Sequence, residues 1–218
     1  KKENIPEQNI TVTGNTVIDA LFFAKNLINQ DKKLQSQIAK TFTFLNWSKH
    51  IILVTGHRRE NFGVGFENVC YGLETLAKRN DVQIIYPVHL NPNVREPVTK
   101  ILSQKSNVHL IEPLDYLPFI YIMEKSHFII TDSGGIQEEA PSLGKPVIIT
   151  REITERPEAL QQNIVRLVGT NNKKLVDEAN LLLDDENHYR SMSKINNLYG
   201  DGKACDRIID KIIKTQLC

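Results

Sequence analysis

From residue 50 onward, short and nearly unbroken apolar runs alternate with longer amphipathic stretches. The runs are "HIILVTG", "VQIIYPVH", "NVHLI", "HFIITD", "KPVIIT" and "NIVRLVG". β-branched runs separated by helix-length segments predict βαβ units and a parallel sheet. Because the runs are continuous rather than alternating, the strands are expected to be covered on both faces. Right-handed crossovers then give an α/β, doubly wound architecture, in which ligands sit outside the carboxyl ends of the strands. Those ends read "TGHRREN", "PVHLNPN", "EPLDYLPF", "TDSGG" and "TREITERP".

The first 45 residues break this rhythm. One short apolar run, "ITVTG", predicts a strand, and a long helical pattern from Thr16 to "KNLINQ" follows it. We read residues 1–45 as the last strand of an earlier domain plus a linker helix, and residues 46–199 as the α/β domain. Residues 200–218 begin with the glycine-flanked turn "GDGKA" and continue with Cys205, Ile208, Ile209, Ile212 and Ile213 at helical spacing, which predicts a terminal helix with one apolar stripe.

Composition narrows the function classes. The 218 residues are enough to bury a sizeable core, and the 27 Lys and Arg nearly balance the 26 Asp and Glu. No broad basic field draws in nucleic acid or an anionic membrane, so an anion must be met by a local site. No apolar run approaches the roughly 20 residues of a membrane span. Cys70, Cys205 and Cys218 are odd in number and widely spaced, with no CxxC pair or Cys/His metal cluster. That usage fits a reducing, cytoplasmic compartment. The chain starts with Lys rather than Met, which fits a piece of a longer polypeptide.

Several strand ends hold candidate chemistry. In "TDSGGIQEEAPSLGKP" a strand ends near Thr131 and a helix starts near Gly134, which aims free N–H groups and the positive helix end at the carboxyl edge of the sheet. Two readings stand. Ser133, Gly134 and Gly135 hold a phosphate, or Asp132 or Ser133 merely caps the helix while the glycines make a tight turn. At about 100° per residue, Ile136, Ala140 and Leu143 form the apolar stripe of that helix, with Glu138 roughly opposite and Glu139 roughly 70° from the centre. Glu138 is therefore expected in solvent. Glu139 is placed to accept from the hydroxyls of a sugar diol, or only to complement the helix dipole.

"VTGHRRENFGVGFENV" brings His57, Arg58, Arg59 and Glu60 to a strand end before a helix near Gly65, and matches neither standard nucleotide fingerprint. His57 suits phosphate donation or acid/base work, or a structural role. Arg58 and Arg59 suit a phosphate clamp, or ion pairs with Glu60. Phe119 in "EPLDYLPFIY" offers an aromatic face for a flat base or for core packing. Arg156 precedes a helix-starting proline, and His89 sits at the end of the second strand.

Taken together, "VTGNTVIDAL", "VTGHRRENFGVGFENV", "YPVHLNPNV", "EPLDYLPF", "TDSGGIQEEAPSLGKPV" and "TERPEA" resemble the non-hydrolysing UDP-N-acetylglucosamine 2-epimerases, in order and spacing, across nearly the whole chain. The resemblance implies a three-layer Rossmann-like domain, the UDP-binding second half of a GT-B-like two-domain architecture. It implies that Ser133, Gly134 and Gly135 hold the diphosphate and Glu139 the ribose hydroxyls. Phe119 and the backbone at Leu114 would contact uracil, and His57 and Arg156 the diphosphate and sugar. His57 would serve on the leaving-group side of catalysis, and His89 would touch a second, regulatory UDP-sugar.

The implied reaction eliminates UDP to a 2-acetamidoglucal and re-adds it with inverted C2, converting UDP-N-acetylglucosamine to UDP-N-acetylmannosamine for surface polysaccharides. It needs no metal or nicotinamide cofactor. The implied partners are a UDP-N-acetyl sugar, an N-terminal domain with the acid/base carboxylates, and a second copy in a homodimer. After "TERPEA" the family carries a glycine-containing segment of the form "GVEAGT", whereas this chain reads "LQQNIVRLVG". Two other readings fit the same residues: a stand-alone nucleotide-sugar binding module, and the donor-binding half of a GT-B glycosyltransferase.

Overall fold

A computed structural model describes residues 4–195 and 197–216. Each apolar run becomes a strand: β1 (His50–Thr55), β2 (Val82–Pro87), β3 (Val108–Ile111), β4 (Phe128–Thr131), β5 (Val147–Ile149) and β6 (Val165–Leu167). All pair in parallel, in the order β3-β2-β1-β4-β5-β6. The chain thus builds outward from β1 to β3, returns to lay β4 beside β1, and builds outward again to β6. Its switch point lies between the ends of β1 and β4, where Thr55 pairs with Thr131 and their hydroxyls are 2.6 Å apart.

Helices cover both faces of the sheet, which is why its strands lack polar alternation. On one face α1 (Thr16–Gln30), α2 (Lys32–Lys40), α5 (Tyr116–Lys125), α6 (Gly134–Ser142) and α7 (Pro157–Gln161) bury Ile51, Leu53, Ile129 and Ile149. On the other, α3 (Val64–Leu76), α4 (Pro92–Leu102), α8 (Asn172–Asp184) and α9 (Glu186–Met192) bury Ile52, Val54, Ile84 and Ile130. Ile18, Leu21 and Ile28 of α1 and Ile38 of α2 belong to the first of these cores. The terminal helix α10 (Ala204–Gln216) is held at its start by Asp19 of α1, whose carboxylate accepts from the N–H groups of Ala204 and Cys205. Beyond that start Ile209, Ile212 and Ile213 are exposed. Cys218 lies outside the described residues.

One expected element is absent. "ITVTG", residues 10–14, forms no strand, and Val12 is 90% exposed. A lone extended segment leaves its N–H and C=O groups without a ladder, and among the described residues no strand lies alongside to supply one. The segment "LQQNIVRLVG" turns into β6 with Asn163 at φ 57°. Asparagine is one of the few side chains that tolerates this left-handed conformation, so the turn forms without a glycine.

Candidate functional site

At the switch point the loop after β1 is tied to the end of β4 by a single carboxylate. Asp132, fully buried, accepts from the backbone N–H of His57 at 2.9 Å and of Arg58 at 2.8 Å, and from Asn61 Nδ2 at 3.4 Å. Asn61 in turn donates to the Thr150 carbonyl at 2.9 Å, which adds the end of β5 to the same assembly. Asp132 is therefore a loop anchor and does not cap α6.

Ser133 does not cap it either. It occupies the N-cap position of α6 without a side-chain cap bond, whereas Asn15, Asp31, Asn91, Asn171 and Asp185 cap α1, α2, α4, α8 and α9. The first-turn N–H groups of α6 have no intrahelical acceptor and stay available to an anion. Gly134 and Gly135 keep that approach open. Neither has a positive φ, and a Cβ added to either would meet no atom nearer than 3.6 Å. Neither turn geometry nor internal crowding requires glycine here, and the missing side chains leave the helix start accessible.

Beside this helix start lies a cavity of about 220 Å³ lined by Gly56, His57, His89, Leu114, Phe119 and Ser133, among others. The His57 and His89 rings stack with centroids 5.3 Å apart, and His89 Nδ1 accepts from the Asn91 N–H. Leu114 and Phe119 form an apolar flank suited to a flat ring. A wider groove of about 580 Å³ follows β3 and α4 at the sheet edge, lined by Phe44, Arg95, His109 and Glu112, and contains none of the sequence-predicted site residues.

The two glutamates of α6 depart from their expected environments. Both are 7% exposed. Glu138, expected in solvent, accepts from Asn15 Nδ2 at 2.6 Å and pairs with Arg156 Nε. The cause is α1, which packs against α6, so that every residue from Ile136 to Ser142 is buried and the helix keeps no solvent face beyond its first turn. Glu139 accepts from the Tyr116 hydroxyl at 2.9 Å, and burial raises its carboxyl above the ordinary range despite that bond. Arg156 is thus seated by a buried carboxylate at the start of α7.

Arg58 and Arg59 do not pair with Glu60. Glu60 is bound by the buried Arg151, which also reaches Glu155, while Arg58 Nη2 lies 3.9 Å from Glu155. Arg151, Glu155, Asn61 and Tyr116 are the participants that sequence reasoning missed. All four stood in quoted strand ends, Asn61 in "TGHRREN", Tyr116 in "EPLDYLPF" and Arg151 and Glu155 in "TREITERP"; for the last two, charge at a carboxyl edge was the available signal. Among the described residues no group of three or more His, Cys, Asp or Glu side chains is placed to hold a metal ion, and no helix is long and apolar enough to cross a membrane.

The comparisons identify the family and the fold. The family model described as UDP-N-acetylglucosamine 2-epimerase matches residues 1–213. The UDP-N-acetylglucosamine 2-epimerase of Salmonella typhimurium is 56% identical over 212 residues, covering 97% of this chain and 56% of that protein. A crystal structure of the Neisseria meningitidis enzyme bound to UDP-GlcNAc superposes with a TM-score of 0.93 at 45% identity, over 98% of this chain and 57% of that one. The Methanocaldococcus jannaschii enzyme in complex with UDP-GlcNAc and UDP gives 0.79 at 28% identity, over 98% and 57%. The chain therefore spans a little over half the length of the relatives it matches.

Proposed function

This chain belongs to the UDP-N-acetylglucosamine 2-epimerase family, and from that premise we propose that it is the UDP-binding half of an isomerase interconverting UDP-N-acetylglucosamine and UDP-N-acetylmannosamine for surface polysaccharide synthesis. The observation that carries most weight is the uncapped start of α6, with two glycines that neither backbone nor packing demands. On this reading the diphosphate rests on the N–H groups at Ser133, Gly134 and Gly135. Glu139 takes the ribose hydroxyls, and uracil lies between the Leu114 backbone and Phe119. His89, stacked on His57, is the residue that a second, regulatory UDP-sugar would touch.

In the reaction we assign, a base removes the C2 proton as the C1–O bond breaks. UDP departs with the bonding electrons, and 2-acetamidoglucal remains. Re-addition of UDP at C1, with a proton delivered to the opposite face of C2, gives the epimer. Departing UDP gathers charge on its β-phosphate, and His57, which lines the cavity beside the start of α6, and Arg156, held by Glu138 of the same helix, are the groups that offset it. Both lie with the phosphate contacts, so we place the C2 acid and base among carboxylates of the remainder of the two-domain protein. The exposed Ile209, Ile212 and Ile213 of α10 supply an apolar surface for that remainder, or for a second copy.

Thermal unfolding tests the nucleotide assignment. A ligand that binds only the folded state stabilises it by about 2.7 kcal/mol at a hundred times its Kd. At equal concentrations UDP raises the Tm more than ADP does. Equal shifts would reject the uracil pocket at Leu114 and Phe119.

A further inference from the structure

Glu139 and Glu138 are equally buried, yet they are satisfied in different ways. Glu138 has a guanidinium and an amide on its two oxygens. Glu139 has no cation, and among the described residues its one hydrogen bond comes from Tyr116, the first residue of α5, to Oε1. The other oxygen, Oε2, lies 4.0 Å from where a Gly135 Cβ would stand, so it faces the open start of α6. Tyr116 is two residues beyond Leu114, which lines the cavity beside that helix start.

We propose that Tyr116 is the positioning residue for ribose recognition: it holds Glu139 by one oxygen and so presents the other, fixed in direction, to the vicinal hydroxyls of the bound nucleotide. The proposal rests on the UDP-binding reading above. A buried carboxylate without a counter-ion is costly, and a neutral donor on one oxygen offsets part of that cost. The titratable groups acting on Glu139 are Tyr116 from α5 and Glu138 from its own helix. Arg156 is taken by Glu138, and α1 brings the uncharged Asn15 to that same carboxylate. Burial and the Glu138 charge raise the Glu139 carboxyl, and the Tyr116 hydrogen bond lowers it. Burial and the Glu139 charge push the Tyr116 phenol up, so it remains a donor.

The test is calorimetric titration of the chain and its Tyr116→Phe variant with UDP and with 2′,3′-dideoxy-UDP, repeated between pH 5 and 8. The wild type prefers UDP at least tenfold, and Tyr116→Phe cuts that preference at least threefold while leaving the dideoxy affinity unchanged. The acid limb of UDP binding moves to higher pH in the variant, because Glu139 then protonates more readily. An equal loss for both nucleotides, or an unchanged preference with an unmoved acid limb, overturns the proposal. A wild type that binds both nucleotides equally overturns it while leaving UDP binding intact. A wild type that binds no UDP overturns the nucleotide reading and the proposal together.

Discussion

Asp132 accepts the backbone N–H of His57 at 2.9 Å, and through that contact the end of β4 fixes the loop that follows β1. The two strands are neighbours because the order of the strands reverses between them, which puts this bond at the switch point. The same residue leads directly into Ser133 and the open helix start. One short stretch of chain therefore shapes both the histidine side and the anion side of the cavity.

Substituting the site glycines separates fold from ligand. Gly135→Ala places a methyl 4.0 Å from its nearest neighbours, so the urea midpoint stays at or slightly above that of the wild type. The methyl projects at the helix start, and UDP affinity falls about tenfold or more, a loss of about 1.4 kcal/mol or more. Unchanged affinity would mean that the diphosphate does not rest there.

The paired glutamates differ in what they support. Glu138→Gln breaks a buried ion pair, and because Arg156 is 31% exposed we expect a loss of about 2–3 kcal/mol in urea unfolding, below the range for fully buried pairs. Glu139→Gln removes a buried charge that has no cation partner, so stability changes little while UDP affinity falls by about 1.5–3 kcal/mol. Equal destabilisation by the two substitutions would contradict the assignment of Glu138 as the seat of Arg156.

That contrast marks where the sequence was legible. The continuous apolar runs disclosed all six strands and both helical layers, since only two-sided burial makes such runs. The strand ends disclosed the cavity residues, because a doubly wound sheet brings those ends to one edge. The helical wheel of α6 misplaced Glu138 because a wheel assumes that one face meets solvent, and α1 covers that face. "ITVTG" had the composition of a strand, but composition supplies no partner for its backbone. The Asp132 anchor, the Arg151–Glu60 pair and the Tyr116 bond join residues 23 to 91 positions apart, and no local pattern encodes such contacts.

Acid stability should report the opposite end of the sheet. His127 stacks on Tyr189 at 4.2 Å and lies 4.2 Å from the His50 ring, and burial, with the His50 charge, lowers it from 6.5 to about 4. A folded-state value below the unfolded one means that the unfolded chain binds more protons between these limits. The stability is fully present above about pH 6.5 and is lost as pH falls toward 4. His127→Gln flattens the decline of the urea midpoint between pH 7.5 and 5. An equally steep decline in the variant would assign the acid sensitivity to other groups.

Epimerisation should be absent from the chain alone. Moving a proton between the two faces of C2 needs acid/base groups on both sides of the ring, and the proposed roles of His57 and Arg156 put both on the phosphate side. Incubation with UDP-N-acetylglucosamine in deuterated water leaves C2 unexchanged and forms no UDP-N-acetylmannosamine by NMR. Exchange at C2 would place a competent base within these residues.

The placement of the nucleotide at the switch point is tested most directly by amide chemical shifts of the ¹⁵N-labelled chain titrated with UDP. The account predicts that the largest perturbations fall on Gly134, Gly135 and Ile136, with smaller ones at His57 and Phe119. Largest perturbations along the groove of Arg95 and Glu112, with Gly134 and Gly135 unmoved, would contradict it.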